Sequence, residues 1–109
     1  MNFLRLPALV AALLLLPMGV APVQAAGKVH HVAIEGMKFV PGRLEVAAGD
    51  TVVWTNKDIV PHTVTAQGAK VESGEIGPDK SWKFVARKKG EIPYICRLHP
   101  VMHGTLVVK

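Results

Sequence analysis

After residue 25, no segment of this chain keeps a 3.6-residue apolar period over three turns, which argues against helices as its building blocks. Short runs with the two-residue period of a strand recur instead. Val29 to Ile34 is rich in β-branched residues, and Leu44 and Val46 share one face of Arg43 to Ala47. Thr51 to Asn56 sets Thr51, Val53 and Thr55 against Val52, Trp54 and Asn56. His62 to Ala66 alternates again, beginning a strand at His62. Trp82, Phe84 and Ala86 oppose Lys83 and Arg87, and Ile92, Tyr94 and Cys96 share a face. Thr105 to Val108 closes the chain. Gly49-Asp50 is a turn signal, and Gly74 to Asp79, with two glycines and a proline, is a loop. Seven or eight short strands cut by such turns predict an all-β antiparallel sandwich or barrel.

The first 25 residues read as an address. Arg5 is followed by the unbroken apolar run Ala8 to Leu16, then by Pro17, Gly19 and Pro22, and then by Val23-Gln24-Ala25. This is the three-part layout of a secretory signal peptide. A membrane anchor is the alternative, but Leu6 to Val23 supplies only 18 residues, with prolines at Pro7, Pro17 and Pro22. A spanning helix needs roughly 20 apolar residues. Cleavage after Ala25 is therefore expected, with export to the periplasm and no stable membrane insertion. It leaves residues 26–109 as one domain of 84 residues, with twelve basic side chains against eight acidic, a net charge of +4.

Composition supports a folded domain without a nucleic-acid partner. Half of the residues are hydrophobic, which excludes a disordered chain. Apart from Arg87-Lys88-Lys89, which reads as a solvated turn, the basic residues are dispersed along the chain. There is one cysteine, so no internal disulfide can form.

That cysteine lies in Cys96-Arg97-Leu98-His99-Pro100-Val101-Met102, with Cys96, His99 and Met102 spaced three apart between two predicted strands. A loop there can turn three donor atoms toward one point. Thiolate, imidazole and thioether form a soft set suited to copper, which passes between two oxidation states. A fourth ligand must come from elsewhere, and His62, placed after the rigid Pro61, is the best candidate. In an oxidising compartment a lone thiol has no disulfide to protect it, and a metal bond would do so and keep it deprotonated. The alternative is a buried, inert Cys96 with Met102 as a core residue.

Several motifs together resemble the cupredoxins, the small blue copper proteins, and in particular the amicyanin, pseudoazurin and plastocyanin group. Met37-Lys38-Phe39-Val40-Pro41 resembles that family's early M-x-F-x-P segment, and Gly49 to Asn56 resembles its G-D-x-V-x-W-x-N strand. Val60-Pro61-His62-Thr63-Val64 resembles the segment with its first histidine ligand, and Gly90 to Met102 its last strand and copper loop. The resemblance implies a Greek-key β-sandwich. It also implies one copper ion held by His62, Cys96 and His99 near a trigonal plane, with Met102 as the weak axial ligand. Asn56 matches an asparagine that ties the two ligand-bearing loops together. Two positions depart from the pattern: Pro93 removes an amide donor before Cys96, pointing to an edge or a bulge, and Arg97 puts a large cation directly after it.

The remaining histidines invite plainer readings. His30 and His31 are adjacent in a strand and face opposite ways, so they do not chelate one ion together. His103, next to Met102, is read as a surface residue or as a modulator of the site. Three functions compete for such a site. A one-electron carrier cycling Cu(I) and Cu(II) is favoured by the axial Met102 and the rigid Pro61-His62. A carrier or buffer that hands on the copper ion itself could use the same ligands. An enzyme of the multicopper oxidase type is disfavoured, because Ile95 and Arg97 flank Cys96 and no H-x-H pair exists. The expected partners are redox proteins with an acidic docking surface. They would meet a monomer at an apolar patch of Pro100 and Val101, beside His99.

Overall fold

The computed structural model describes residues 4, 12, 14–17, 19 and 27–109. Most of the expected signal segment, 1–25, thus lies outside the described residues. Among the described residues no helix is long and apolar enough to cross a membrane. The elements in chain order are β1 (Val29–Ile34), β2 (Phe39–Val40), β3 (Arg43–Val46), β4 (Thr51–Asn56), β5 (Thr65–Ala66), a 3₁₀ turn (Gln67–Ala69), β6 (Val71–Glu72), β7 (Ser81–Val85), β8 (Gly90–Cys96) and β9 (His99–Val108). The strands form two sheets, in the orders β2-β1-β4-β7 and β3-β9-β8-β5-β6.

Among the described residues the sandwich has nine strands rather than seven or eight, and its sheets are mixed rather than antiparallel. The additional strands, β2 and β6, have two residues each, too short to show an alternation. β1 runs parallel to β4, from Val29 opposite Thr51 to Ile34 opposite Asn56. β3 likewise runs parallel to β9, from Arg43 opposite Thr105 to Val46 opposite Val108. These pairings arise because the chain leaves the first sheet after β2, crosses to the second as β3 and returns as β4. Parallel neighbours need such crossovers, whereas a hairpin makes only antiparallel ones.

Inward positions of both sheets form one core. Val32, Ile34, Val52 and Trp54 come from the first sheet, and Tyr94, Cys96, Met102, Leu106 and Val108 from the second. Burying each large side chain there is worth about 1.5–3 kcal/mol. Trp54 meets Tyr94 edge-on, with ring centroids 5.6 Å apart, and its Nε1–H donates to Tyr94 Oη at 3.2 Å. Burial pushes the Tyr94 phenol up to about 12, against that bond. Opposite Tyr94 on β9 stands Gly104, where a Cβ would lie 2.5 Å from the Tyr94 ring. The ring occupies the space that any other residue would fill.

Two expectations about the strands beside the site need correction. His62 does not begin a strand: it makes an isolated bridge to Ile76, and β5 covers only Thr65–Ala66. All of 62–66 is buried, so the apparent alternation marks no exposed face. The Cys96–Met102 stretch is not a loop either. Cys96 ends β8, Arg97 and Leu98 make the turn, and His99 opens β9 opposite Cys96, after a register shift at Ile95/Cys96. Pro93 fits this sheet because the Thr105 amide opposite it points away, donating to Gly42 O. The proline nitrogen therefore faces the side where β5 has already ended.

Candidate metal centre

The end of β8, the start of β9 and the segment after β4 bring three donors together. One nitrogen of His62, one of His99 and the sulfur of Cys96 all lie within 4.8 Å of one another. Cys96 Sγ is 3.6 Å from His62 Nδ1 and 3.8 Å from His99 Nδ1. The two imidazole centroids are 5.1 Å apart. His62 and Cys96 are fully buried, while His99 is half-buried and meets solvent.

Each donor is held by bonds of its own. His62 N–H donates to Ile76 O and its C=O accepts from Ile76 N–H, which fixes the backbone. Its Nε2 lies 2.8 Å from Asp58 Oδ2. An ionised carboxylate only accepts, so the proton sits on Nε2 and the Nδ1 lone pair faces Cys96. Asp58 is itself anchored by the amides of Gly36 at 2.8 Å and Met37 at 3.0 Å. Burial raises the Asp58 pKa, but those amides and the His62 imidazole outweigh it and hold the carboxyl below its ordinary value.

Asn56, at the end of β4, is fully buried and fully bonded. Its Nδ2 donates to Val60 O at 2.8 Å and Ile76 O at 2.9 Å, and its Oδ1 accepts from Asp58 N at 2.9 Å. These bonds shape the His62 side alone. The tie to the other ligand segment belongs to Thr63, whose N–H donates to Cys96 Sγ at 3.4 Å and whose Oγ1 accepts from Arg97 N at 2.9 Å. Sequence reasoning missed Asp58 and Thr63. The Asn56-x-Asp58 spacing, which makes an Asx-type turn, was the available signal for the first. A hydroxyl directly after His62 was the signal for the second.

Met102 lies three residues beyond His99 on β9, buried in the same core cluster as Cys96. Pro61, Pro100 and Val101 are exposed, Val101 to 86%. Ile59, at 92%, is a further exposed apolar side chain, in the segment between β4 and His62. His30 bonds Asp50 through Nε2 at 2.8 Å, away from the donor group, and His103 is exposed. Two imidazoles, a thiol sulfur and a thioether nearby are soft and intermediate donors, and this set fits copper.

Residues 7–108 match the family described as Cupredoxin-like domain. The chain belongs to that family. Amicyanin of Paracoccus versutus is 32% identical over 98 residues, covering 85% of this chain and 73% of that protein. Amicyanin-alpha of Methylorubrum extorquens is 35% identical over 84 residues, covering 72% of this chain and 71% of that protein. An amicyanin variant solved in its oxidised state aligns with a TM-score of 0.71 and 28% identity, over 80% of this chain and 87% of that one. Amicyanin-like cupredoxins are electron carriers rather than enzymes, and this membership supports an electron-transfer role.

Proposed function

We propose that this chain is an exported type 1 blue copper protein, a one-electron carrier between redox proteins in the periplasm. The observation that carries the reading is the meeting of two imidazole nitrogens and the Cys96 sulfur within 4.8 Å, where the end of β8 and the start of β9 meet the segment after β4. His62, Cys96 and His99 would hold copper, with the Met102 thioether as a further, weaker ligand. Bound copper supplies a one-electron couple.

The chain's own residues make that couple usable. Asp58 keeps the proton on His62 Nε2 and leaves Nδ1 free to ligate. Asn56 and Thr63 fix the two ligand segments, so the donors need not move when the oxidation state changes. The buried His62 and Cys96 lie away from water, and the half-buried His99 is the route to the surface. Pro100 and Val101 beside it offer a small apolar contact, suited to a partner that must leave quickly. Export rests on the layout of residues 1–25, and 26–109 would be the mature, monomeric domain of charge +4. That charge suits a partner with an acidic surface.

The test is to load residues 26–109 with Cu(II) and record the visible spectrum. An intense charge-transfer band is expected, and it should vanish on one-electron reduction. A colourless loaded protein rejects the reading. Rapid loss of the ion to a competing chelator would move the function to delivery of copper itself.

A further inference from the structure

Arg97, the cation directly after Cys96, begins and ends a closed ring of hydrogen bonds. Its backbone N–H donates to Thr63 Oγ1 at 2.9 Å. Thr63 Oγ1 lies 2.9 Å from Thr65 Oγ1, which donates to Glu72 Oε1 at 3.1 Å. Glu72 Oε1 also accepts from Arg97 Nε at 2.7 Å. The carboxylate can only accept, so every direction follows. The Thr65 proton goes to Glu72, and the Thr63 proton therefore goes to Thr65. The lone pair left on Thr63 then takes the Arg97 amide. Two donor runs thus leave Arg97 and converge on Glu72 Oε1, one directly from Nε and one through the two hydroxyls, and along the second run each bond strengthens the next. Glu72 Oε2 is fixed in turn by Gly74 N at 2.6 Å. Thr63 and Thr65 are buried, so their hydroxyls have no water to fall back on.

Thr63 is also the residue whose backbone N–H points at Cys96 Sγ, 3.4 Å away. We propose that Glu72 and Arg97 are positioning residues: through the Thr63–Thr65 ring they hold that N–H on the Cys96 sulfur and thereby raise the reduction potential of the site. A donor to the sulfur withdraws electron density from it and favours the reduced metal. The proposal rests on the copper reading for its potential readout and not for its structural one.

The test uses residues 26–109 with Glu72→Ala, Thr63→Val and Thr63→Ser. In the metal-free protein, amide exchange at Arg97 should quicken about fivefold in Glu72→Ala, the equivalent of about 1 kcal/mol for one hydrogen bond. In the copper form the potential is measured at 1 M salt, where the screening length is about 3 Å and direct charge effects are damped. Glu72→Ala and Thr63→Val should both lower the potential, and Thr63→Ser should restore it. Charge alone predicts the opposite sign for Glu72→Ala, because removing a carboxylate favours the reduced ion. A potential that rises or stays put in Glu72→Ala overturns the proposal, as does unchanged exchange at Arg97. Failure to bind copper would reject the copper reading, while exchange at Arg97 would still decide the ring.

Discussion

Asp58 Oδ2 stands 2.8 Å from His62 Nε2, and that contact decides which nitrogen of the imidazole faces the cysteine. The same carboxylate takes the amides of Gly36 and Met37, from the segment between β1 and β2. It therefore ties the β1–β2 segment to the segment after β4 through one group. An amide in its place would aim a donor at either the imidazole or those backbone N–H groups. Asp58→Asn should weaken copper binding by about 10–100-fold, the usual cost of losing an outer partner of a ligating histidine. Competition titration against a chelator of known affinity measures this. Affinity equal to wild type would show that His62 keeps its tautomer unaided.

The ligands themselves should separate by role. Cys96→Ser removes the sulfur, and with it the intense visible band expected of the copper form. A band that survives in Cys96→Ser would rule out the thiolate as its source. Met102→Leu keeps the buried volume nearly constant, so the fold should persist. That variant should still bind copper but at a shifted potential, since a weak axial ligand tunes the ion without holding it. Voltammetry of the loaded variant checks the shift, and loss of all binding would give Met102 a larger role.

Part of this site could be read directly from the chain, and the reason is local. Cys96, His99 and Met102 fall within seven residues, so their spacing carries the information. His62 is legible because Pro61 and the neighbouring motif mark it. Thr63, Asp58 and the Glu72–Arg97 pair act across 25 to 34 residues or through a turn, and nothing in their spacing says so. The sandwich was legible from alternation along β1, β4, β7 and β8. The parallel pairings were not, because they depend on where the chain crosses between sheets. The expected loop at 97–102 is a two-residue turn and a strand, since the partner of β9 extends to Cys96 itself.

At another part of the sandwich, Asp50 should give the fold a dependence on acid. His30, with the amides of Ala47 and Lys28, holds its carboxyl below the ordinary value of 3.8. A depressed folded pKa means that the charged form is favoured by folding. Its contribution is complete above the unfolded value and is lost as pH falls through the folded one. Urea midpoints should therefore fall from about pH 5 downward, and less steeply in Asp50→Asn. Equal slopes for the two proteins would remove Asp50 from the account.

Gly104 should be intolerant of even one carbon. The Cβ of Gly104→Ala would sit 2.5 Å from Tyr94, so the ring or the strand must shift. Tyr94 is held by Trp54 and packs edge-on against Phe39 at 4.7 Å, which leaves it little room. Overpacking of this kind costs about 1–3 kcal/mol. Chemical denaturation of the variant measures it, and an unchanged midpoint would mean that the ring moves freely.

Docking brings together the exposed apolar end and the charge. Val101 is 86% exposed and follows Pro100, two residues from the half-buried His99. A carrier must bring its partner close to that histidine and release it, and a few apolar contacts achieve this without a large interface. The +4 charge of residues 26–109 acts at longer range, drawing an acidic partner inward before contact. Salt screens that attraction over about 10 Å at 0.1 M, whereas the apolar contact is insensitive to it. The bimolecular transfer rate should thus fall as salt rises. Val101→Lys should slow transfer at every salt concentration while leaving the visible spectrum nearly unchanged, because the side chain lies outside the donor set. Stopped-flow rates against ionic strength for both proteins separate the two effects. A flat salt response would remove steering by charge, and a Val101→Lys rate equal to wild type would place the docking face elsewhere.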